Sequence, residues 1–183
     1  MDFVDSVLRP LIPTFFFLVA PFLFLKLEGL KFKASLARLN LRAKDIGLSS
    51  LFEAVKLFVF MYAMLMVESI VLSYFHAMDL GKVSSVLKQQ DMLVLVAAIT
   101  ITPVAEEIFF RGYLQGKFGA VLSALAFGFL HFVYGSTYEV VFAVSIGLLF
   151  GWYVRKHKKL LPTILAHAAF NAVSVYFLLN PVS

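Results

Sequence analysis

Two adjacent glutamates, Glu106 and Glu107, lie inside a stretch of sequence that is otherwise apolar enough to sit within a lipid bilayer. A charged side chain at the centre of a membrane helix costs about 3 kcal/mol or more, so such residues usually face a polar partner or a water-filled cavity. Arg111 follows Glu107 by four residues, which places these two side chains on one face of a helix. The sequence therefore predicts a helical bundle that shields these charges from lipid.

The composition supports a membrane location. Hydrophobic residues make up 61% of the 183 residues, charged residues only 15%, and the mean hydropathy is +0.90. Since a helix needs about 20 apolar residues to cross a bilayer, we predict an all-α fold, a polytopic transmembrane bundle of about six spans forming a single membrane domain over residues 1–183. The predicted spans are 10–26, 54–75, 92–114, 118–133, 140–154 and 160–180.

The charges in the loops predict an orientation. Lysine and arginine dominate the segments 26–45 and 155–159, whereas the loop 76–91 is nearly neutral and the following tip carries Glu139. Loops rich in lysine and arginine are usually cytoplasmic, so six spans would leave both termini on the outer side. This arrangement explains most of the net charge of +5, and we predict no nucleic-acid partner.

Several kinds of chemistry are excluded by residues that the chain lacks. It contains no cysteine, its aspartates lie outside or at the edges of the predicted spans, and it has no His-Glu-x-x-His zinc motif. Ser145 lacks the glycine pattern of a nucleophile elbow. Glutamate, histidine and asparagine are the groups that remain for catalysis.

The polar residues of the later spans are spaced so that they can meet. Residues four apart share a helix face, so Glu107 can pair with Arg111 and leave Glu106 free to face a cavity. His167 and Asn171 share a face in the same way. We predict one buried site lined by Glu106, His131, His167 and Asn171, with Glu107 and Arg111 in support.

Helix geometry predicts the depth of these residues. At about 1.5 Å per residue, Glu106 lies about 10 to 15 Å from the cytoplasmic end of its span and His167 about 10 Å from it, which favours a cavity open to the cytoplasmic side. A straight helix from Phe118 puts His131 about 20 Å deep. A tilt or a later helix start is needed to bring His131 level with the other two.

Three motifs occur in order in separate predicted spans. They are Glu-Glu-x-x-x-Arg at 106–111, Phe-x-x-x-His at 127–131 and His-x-x-x-Asn at 167–171. Over about 90–180, taken as the catalytic core, the chain resembles the CPBP intramembrane protease family, which includes the type II CAAX prenyl endopeptidases and the bacteriocin-related Abi proteins. The resemblance implies hydrolysis of a peptide bond at membrane depth.

The resemblance also implies roles for the site residues. Glu106 and His131 would activate a water molecule without a cofactor, while His167 and Asn171 would stabilise the oxyanion. In an alternative, Glu106, His131 and His167 would be three zinc ligands with water in the fourth position. The implied substrate is a membrane-associated peptide or lipidated protein, with prenylated CAAX proteins as the best-known type.

Other functions stay open on the sequence alone. The same polar residues could form a structural network in a non-enzymatic membrane scaffold or in a bacteriocin-immunity-type binding protein, or they could be transient ligands in an ion transporter. Glu68, alone in the second span, either joins the site or pairs with a neighbouring helix. The spacing Gly147-x-x-x-Gly151 predicts close helix packing, and the segment 31–50 predicts either an amphipathic surface helix or a solvated connector.

Overall fold

The computed structural model describes residues 3–180 except for the side chain of Leu80. Within these residues the chain forms nine α-helices joined by short connections. No strand occurs within those residues, and the all-α prediction is confirmed. A π-helical turn, Val4–Leu8, precedes the first helix, another, Ile108–Leu114, follows the sixth, and 3-10 turns cover Ala43–Asp45 and His131–Tyr134. The helices are α1 (Arg9–Leu27), α2 (Phe32–Arg38), α3 (Leu48–Tyr74), α4 (Leu80–Leu87), α5 (Met92–Ile99), α6 (Ile101–Glu107), α7 (Gln115–Leu130), α8 (Thr137–His157) and α9 (Leu161–Leu179).

Five helical stretches of the described chain are long and apolar enough to cross a membrane. The third contains 34 residues, about 51 Å of straight helix, whereas the hydrocarbon core is about 30 Å thick. This stretch must therefore bend or reverse. The five stretches are Val4–Leu27, Leu48–Tyr74, Ile101–Tyr134, Thr137–His157 and Leu161–Leu179.

The third stretch reverses at Gly119. Its φ of +84° lies in the left-handed region, which glycine adopts without the steric cost of a Cβ atom. Beyond the reversal, the Ser123 hydroxyl donates a 2.7 Å hydrogen bond to the carbonyl oxygen of Phe110, although thirteen residues of straight helix would separate them by about 20 Å. The two arms therefore lie antiparallel, and the prediction of about six spans is confirmed.

Glycine allows α7 and α8 to pack closely. A Cβ atom added to Gly147 would lie 2.9 Å from the Cα atom of Ala124, and one added to Gly151 would lie 3.2 Å from the Cβ atom of Ala120. Both distances are shorter than ordinary van der Waals contact. The prediction that this glycine spacing marks close helix packing is confirmed.

The loops rich in lysine and arginine gather at one end of the bundle, which we call the basic end. Lys117, beside the Gly119 reversal, forms a 2.6 Å ion pair with Glu28 after α1. The backbone N–H of Leu160, between α8 and α9, donates to the carbonyl oxygen of Asn40. The segment 28–47, the Gly119 turn and the loop 158–160 therefore meet at this end.

The segment 31–50, predicted to be either a surface helix or a connector, is partly helical and partly an irregular connector at the basic end. It contains the short helix α2, followed by an irregular connection with one 3-10 turn. Leu39 at the end of α2 is fully buried and joins Leu25 and Leu160 in the main apolar core. The segment therefore closes the bundle at the basic end as well as connecting α1 to α3.

The opposite end, which we call the α4 end, is held together by Asp79. Its carboxylate accepts hydrogen bonds from the Ser136 hydroxyl at 2.6 Å and from the backbone N–H groups of Thr137 and Tyr138 at the start of α8. The hydrogen bond from Ser136, with support from the backbone donors, holds the pKa of Asp79 below its ordinary value of 3.8. Asp79 thus ties the α4 loop to the first turn of α8.

Replacing Gly147 by valine should disrupt the α7–α8 contact. The added side chain has no room beside Ala124, and overpacking of this kind costs about 1 to 3 kcal/mol. We expect a lower thermal midpoint in detergent. Gly81→Val is the control, because a Cβ atom at Gly81 meets nothing within 4 Å; equal losses in the two variants would contradict the packing argument.

Replacing Asp79 by asparagine should destabilise the protein at neutral pH by about 1 kcal/mol, the usual scale of a helix-capping contact. Because the pKa of Asp79 is lowered by folding, its charge contributes stability above the ordinary value of 3.8, and this contribution is lost as the pH falls below it. Thermal unfolding in detergent at pH 7, 5 and 3 should show the difference between wild type and variant shrinking at pH 3. A constant difference would contradict the assignment.

Candidate active site

A cavity of about 370 Å³ lies within the bundle, and its wall includes Glu106, His131, His167 and Asn171. These are the four residues that the sequence predicts for one site, and they come from three different spans. The rest of the wall is mostly apolar and belongs to helices α3, α4, α5, α6, α7, α8 and α9 and to the 3-10 turn before α8. The structure therefore brings the predicted residues together around one space.

Glu107 and Arg111 form a buried ion pair beside this cavity. The Oε1 atom of Glu107 lies 2.9 Å from Nη1 of Arg111, and both side chains are almost completely shielded from solvent. The same Oε1 atom accepts a 3.2 Å hydrogen bond from Nδ1 of His167. This pair, which the four-residue spacing predicts, therefore also fixes the ring of His167 from a different helix.

Glu106 faces the other nitrogen of the same ring. Its Oε2 atom lies 3.6 Å from Nε2 of His167, just beyond direct hydrogen-bond distance, and only 15% of its side chain is exposed. Since Nδ1 is held by Glu107, Nε2 of His167 is directed towards Glu106 and the cavity. The two neighbouring glutamates thus contact opposite edges of one imidazole.

The ring of Phe127 lies beside three polar side chains of the site. Its centroid lies 4.1 Å from the guanidinium carbon of Arg111, 4.5 Å from the ring of His131 and 6.1 Å from the ring of His167. A guanidinium group over an aromatic face is an attractive contact. The phenylalanine four residues before His131 therefore links the ion pair to both histidines.

His131 presents one nitrogen to the cavity. Its Nδ1 atom lies 2.8 Å from the carbonyl oxygen of Phe127, and because a carbonyl oxygen only accepts, Nδ1 carries the hydrogen. In the neutral ring, Nε2 is then left with a free lone pair. His131 lies one helical turn beyond Phe127, at the end of α7, so it stays nearer the α4 end than His167. The sequence predicts that His131 lies deeper than His167, and the cavity is long enough for both side chains to line it.

Asn171 links α9 to α5. Its Nδ2 atom donates a 2.8 Å hydrogen bond to the carbonyl oxygen of Ala98, which lies just before the break at Thr100. This bond uses one amide hydrogen and orients the side chain along the cavity wall. The second amide hydrogen is available to a ligand in the cavity.

Glu139 and Tyr134 are two of the polar wall residues that the sequence analysis does not place in the site. Glu139 was assigned to an external tip, and Tyr134 was not singled out, yet both line the cavity. Glu139 shares one face of α8 with the buried residues Ala143, Ile146 and Phe150, at helical spacings of four, seven and eleven. That periodicity is the sequence signal that could have placed Glu139 inside.

Glu68 does not line this cavity. Its carboxylate on α3 accepts a hydrogen bond from Ser145 on α8. Of the two alternatives left open by the sequence, the structure therefore shows pairing with a neighbouring helix.

The three alternative zinc ligands do not converge on one point in this arrangement. Within residues 3–180, no group of three or more histidine, aspartate or glutamate side chains converges closely enough to hold a metal. Glu106, His131 and His167, the alternative zinc ligands, line one cavity but do not form such a group.

The cavity extends towards the α4 end rather than towards the basic end. Its wall includes Val83, Ser84 and Leu87 of α4, Tyr134 of the turn before α8, and the last turns of α9. The sequence predicted an opening on the side of the basic loops. The site runs lengthwise from His167, in the second turn of α9, towards the α4 end, and an opening to the cytoplasmic side stays a prediction.

Residues 88–173 match the family model described as Type II CAAX prenyl endopeptidase Rce1-like. This segment contains all three motifs, from Glu106 to Asn171, and the predicted resemblance is confirmed. Together with the apolar helices, the match identifies an integral membrane protein. No curated protein and no solved structure matches the chain.

Replacing Arg111 by methionine should destabilise the fold strongly. It leaves the Glu107 carboxylate buried without its cation, and breaking a buried pair on one side costs about 3 to 5 kcal/mol. We expect a large drop in the thermal midpoint in detergent. The double variant Glu107→Gln with Arg111→Met should recover much of that loss, because a pair replaced by neutral groups leaves no buried charge. Additive losses would contradict this account.

Proposed function

We propose that this chain, whose residues 88–173 match the Rce1-like type II CAAX prenyl endopeptidases, is an intramembrane endopeptidase. The observation that carries the proposal is the position of Glu106, 3.6 Å from His167, on a cavity that also reaches His131 and Asn171. A carboxylate and imidazoles around one accessible space are the groups that acid–base hydrolysis of a peptide bond requires.

Glu106 is the proposed general base, assisted by His131. Glu106 takes a proton from a water molecule whose oxygen attacks the carbonyl carbon of the scissile bond. His131 has its Nδ1 hydrogen bonded to a carbonyl oxygen, so its Nε2 lone pair can orient the same water. The proton is then passed to the amide nitrogen, the C–N bond breaks, and a carboxylate and an amine leave.

His167 and Asn171 are the proposed oxyanion donors. The bond from Nδ1 of His167 to Glu107 aims Nε2 at the cavity and stabilises positive charge on the ring, as a carboxylate does for the histidine of a catalytic triad. Asn171 adds a neutral amide donor held in place by Ala98. Fixed donors of this kind are worth most in a site that excludes bulk water.

The ion pair of Glu107 and Arg111 has a positioning role. Arg111 offsets the charge of Glu107, and Glu107 holds the ring of His167. Because Arg111 also lies over Phe127, the same pair fixes the surface that supports His131. Precise placement of this kind is a requirement of hydrolysis, and a purely structural network would not need two histidines aimed into a cavity.

The substrate that fits this site is a membrane-associated peptide. Apolar side chains such as Met61, Leu65 and Phe142 surround the polar residues, and a volume of about 370 Å³ admits a few side chains rather than a folded domain. A prenylated CAAX-type C-terminus is one candidate of this class, and the family match favours it. A membrane peptide without a lipid is the other candidate.

Replacing Glu106 by glutamine should abolish cleavage while leaving the protein folded. Loss of a general base typically lowers the rate about 10²- to 10⁴-fold. Detergent-purified protein would be given fluorogenic prenylated and non-prenylated peptides and assayed for turnover. Glu68→Gln is the matched control, because Glu68 is a membrane acid outside the cavity that bonds to Ser145; it should retain activity.

A chelator arm separates the proposed mechanism, in which Glu106 activates a water molecule, from the zinc alternative. Activity unaffected by chelation supports the water activated by Glu106, whereas activity lost on chelation and restored by zinc would assign Glu106, His131 and His167 to a metal. Equal turnover by wild type and Glu106→Gln would overturn the proposed role of Glu106. A folded wild-type protein that cleaves neither peptide would favour a binding or scaffold function.

A further inference from the structure

We propose that a groove between α1 and α2 binds one anionic phospholipid, with the phosphate at Lys26 and Lys31 and an acyl chain along α1. The groove lies at the basic end and, among the described residues 3–180, shares no wall residue with the cavity of Glu106. Lipid binding there goes beyond the proposed function and requires no catalytic activity. Three features carry the proposal: the shape of the groove, the order of its apolar and basic residues, and the pairing of the neighbouring acids.

The α1–α2 groove has a volume of about 810 Å³ and lies between the last turns of α1 and the first turn of α2. Sites for small molecules usually have volumes of about 300 to 1,000 Å³. Phe22 on α1 and Phe32 on α2, both in the wall, stack with ring centroids 5.7 Å apart. The Ser35 hydroxyl, also in the wall, already donates to the carbonyl oxygen of Lys31. The space between the two helices is therefore mainly apolar.

The wall residues are ordered by polarity along α1. Leu18, Phe22 and Lys26 follow one another at intervals of four residues and lie along one face of the helix. At about 1.5 Å per residue, Leu18 lies about 12 Å deeper in the span than Lys26. Lys31 belongs to the same wall and follows the chain reversal at Gly29. An apolar trough that ends at two lysines matches a phospholipid, whose acyl chains lie in hydrocarbon and whose phosphate lies in the headgroup region.

The two lysines of the groove have no anion of their own. Both side chains are exposed, and within residues 3–180 neither ammonium group forms an ion pair or a hydrogen bond. The acids on the segment that follows α1 are engaged elsewhere, since Glu28 pairs with Lys117 at 2.6 Å and Asp45 with Arg42 at 3.0 Å. A phosphate group in the groove would therefore supply the missing negative charge.

The combination of charge and apolar surface favours an anionic phospholipid over other phosphates. Basic pockets between membrane helices at the headgroup level are recurrent sites for anionic lipids. A free phosphate ion would contact the lysines but leave the apolar trough of α1 without a ligand. A phosphatidylcholine headgroup carries its own cation beside the phosphate, so it gains less from two further positive charges.

A lipid in this groove would hold α1 and α2 against the helix that carries the Glu107–Arg111 pair. Phe17 on α1 lies against Phe110, with ring centroids 5.3 Å apart. Leu39 at the end of α2 lies against Gly112, because a Cβ atom added to this glycine would be 3.2 Å from the leucine Cδ2 atom. Since a ligand that binds only the folded state stabilises it, lipid binding should raise the thermal midpoint.

Native mass spectrometry of the protein in a neutral detergent tests the site directly. Wild type would be offered equal concentrations of phosphatidylglycerol and phosphatidylcholine with the same acyl chains. We expect one phosphatidylglycerol molecule to be retained in preference to phosphatidylcholine, and phosphatidylglycerol to raise the thermal midpoint. Glycerol phosphate, which has the phosphate without acyl chains, should leave the midpoint unchanged. Equal retention of the two lipids, or equal stabilisation by glycerol phosphate, would overturn the proposal.

Replacing Lys26 and Lys31 together by glutamine should weaken phosphatidylglycerol binding about 25-fold, or about five-fold for each lysine. The matched control is Lys33→Gln with Lys44→Gln, which removes the same charge from exposed lysines of the same end that lie outside the groove wall. The control should bind phosphatidylglycerol as wild type does. Unchanged binding in the first double variant, or an equal loss in both, would overturn the assignment of the phosphate to this groove.

Filling the groove tests the position of the acyl chain while both lysines stay in place. Leu23 lies in the wall, so Leu23→Trp should reduce phosphatidylglycerol binding. Leu27→Trp is the control, because Leu27 is 84% exposed and lies outside the wall; it should bind as wild type does. Wild-type binding by Leu23→Trp, or an equal loss in both variants, would show that the chain does not lie along α1 and would overturn the proposal.

Discussion

The ion pair of Glu107 and Arg111 is the interaction on which the rest of the structure depends. Both groups are buried within the bundle, where a lone charge would be too costly to keep. Their proximity along one helix removes most of that cost, and Glu107 has a further contact with His167 on α9. Arg111 in turn lies over Phe127 on α7. One pair thus fixes the relative positions of three spans.

This pair also explains why the neighbouring glutamate is free for chemistry. Adjacent residues on a helix point about 100° apart, so Glu106 cannot share the contacts of Glu107 with Arg111. It faces Nε2 of His167 instead, across 3.6 Å. A doubled glutamate therefore provides one carboxylate that holds an imidazole and one that faces the cavity beside it.

Two glycine features make room for this arrangement. The reversal at Gly119 turns a helical stretch that is too long for one span into two antiparallel arms, which brings Phe127 back against Phe110 with ring centroids 5.1 Å apart. Gly147 and Gly151 then allow α8 to approach α7 closely. Without that approach, the face of α8 that carries Glu139 would not reach the cavity.

Local patterns in the sequence determined the fold class, about six spans, the Glu107–Arg111 pair and the resemblance of residues 88–173 to the family model. Hydropathy, helical spacing and short motifs act within one helix or between adjacent ones. Contacts between helices were decided only by the tertiary structure. These contacts place His167 between two glutamates and place Glu139 on the cavity wall, with Glu68 outside it. They also determine that the cavity extends towards α4 rather than towards the basic loops. The physical reason is that helix depth alone does not specify how spans rotate and which end their packing closes, since both depend on side chains distant in the chain.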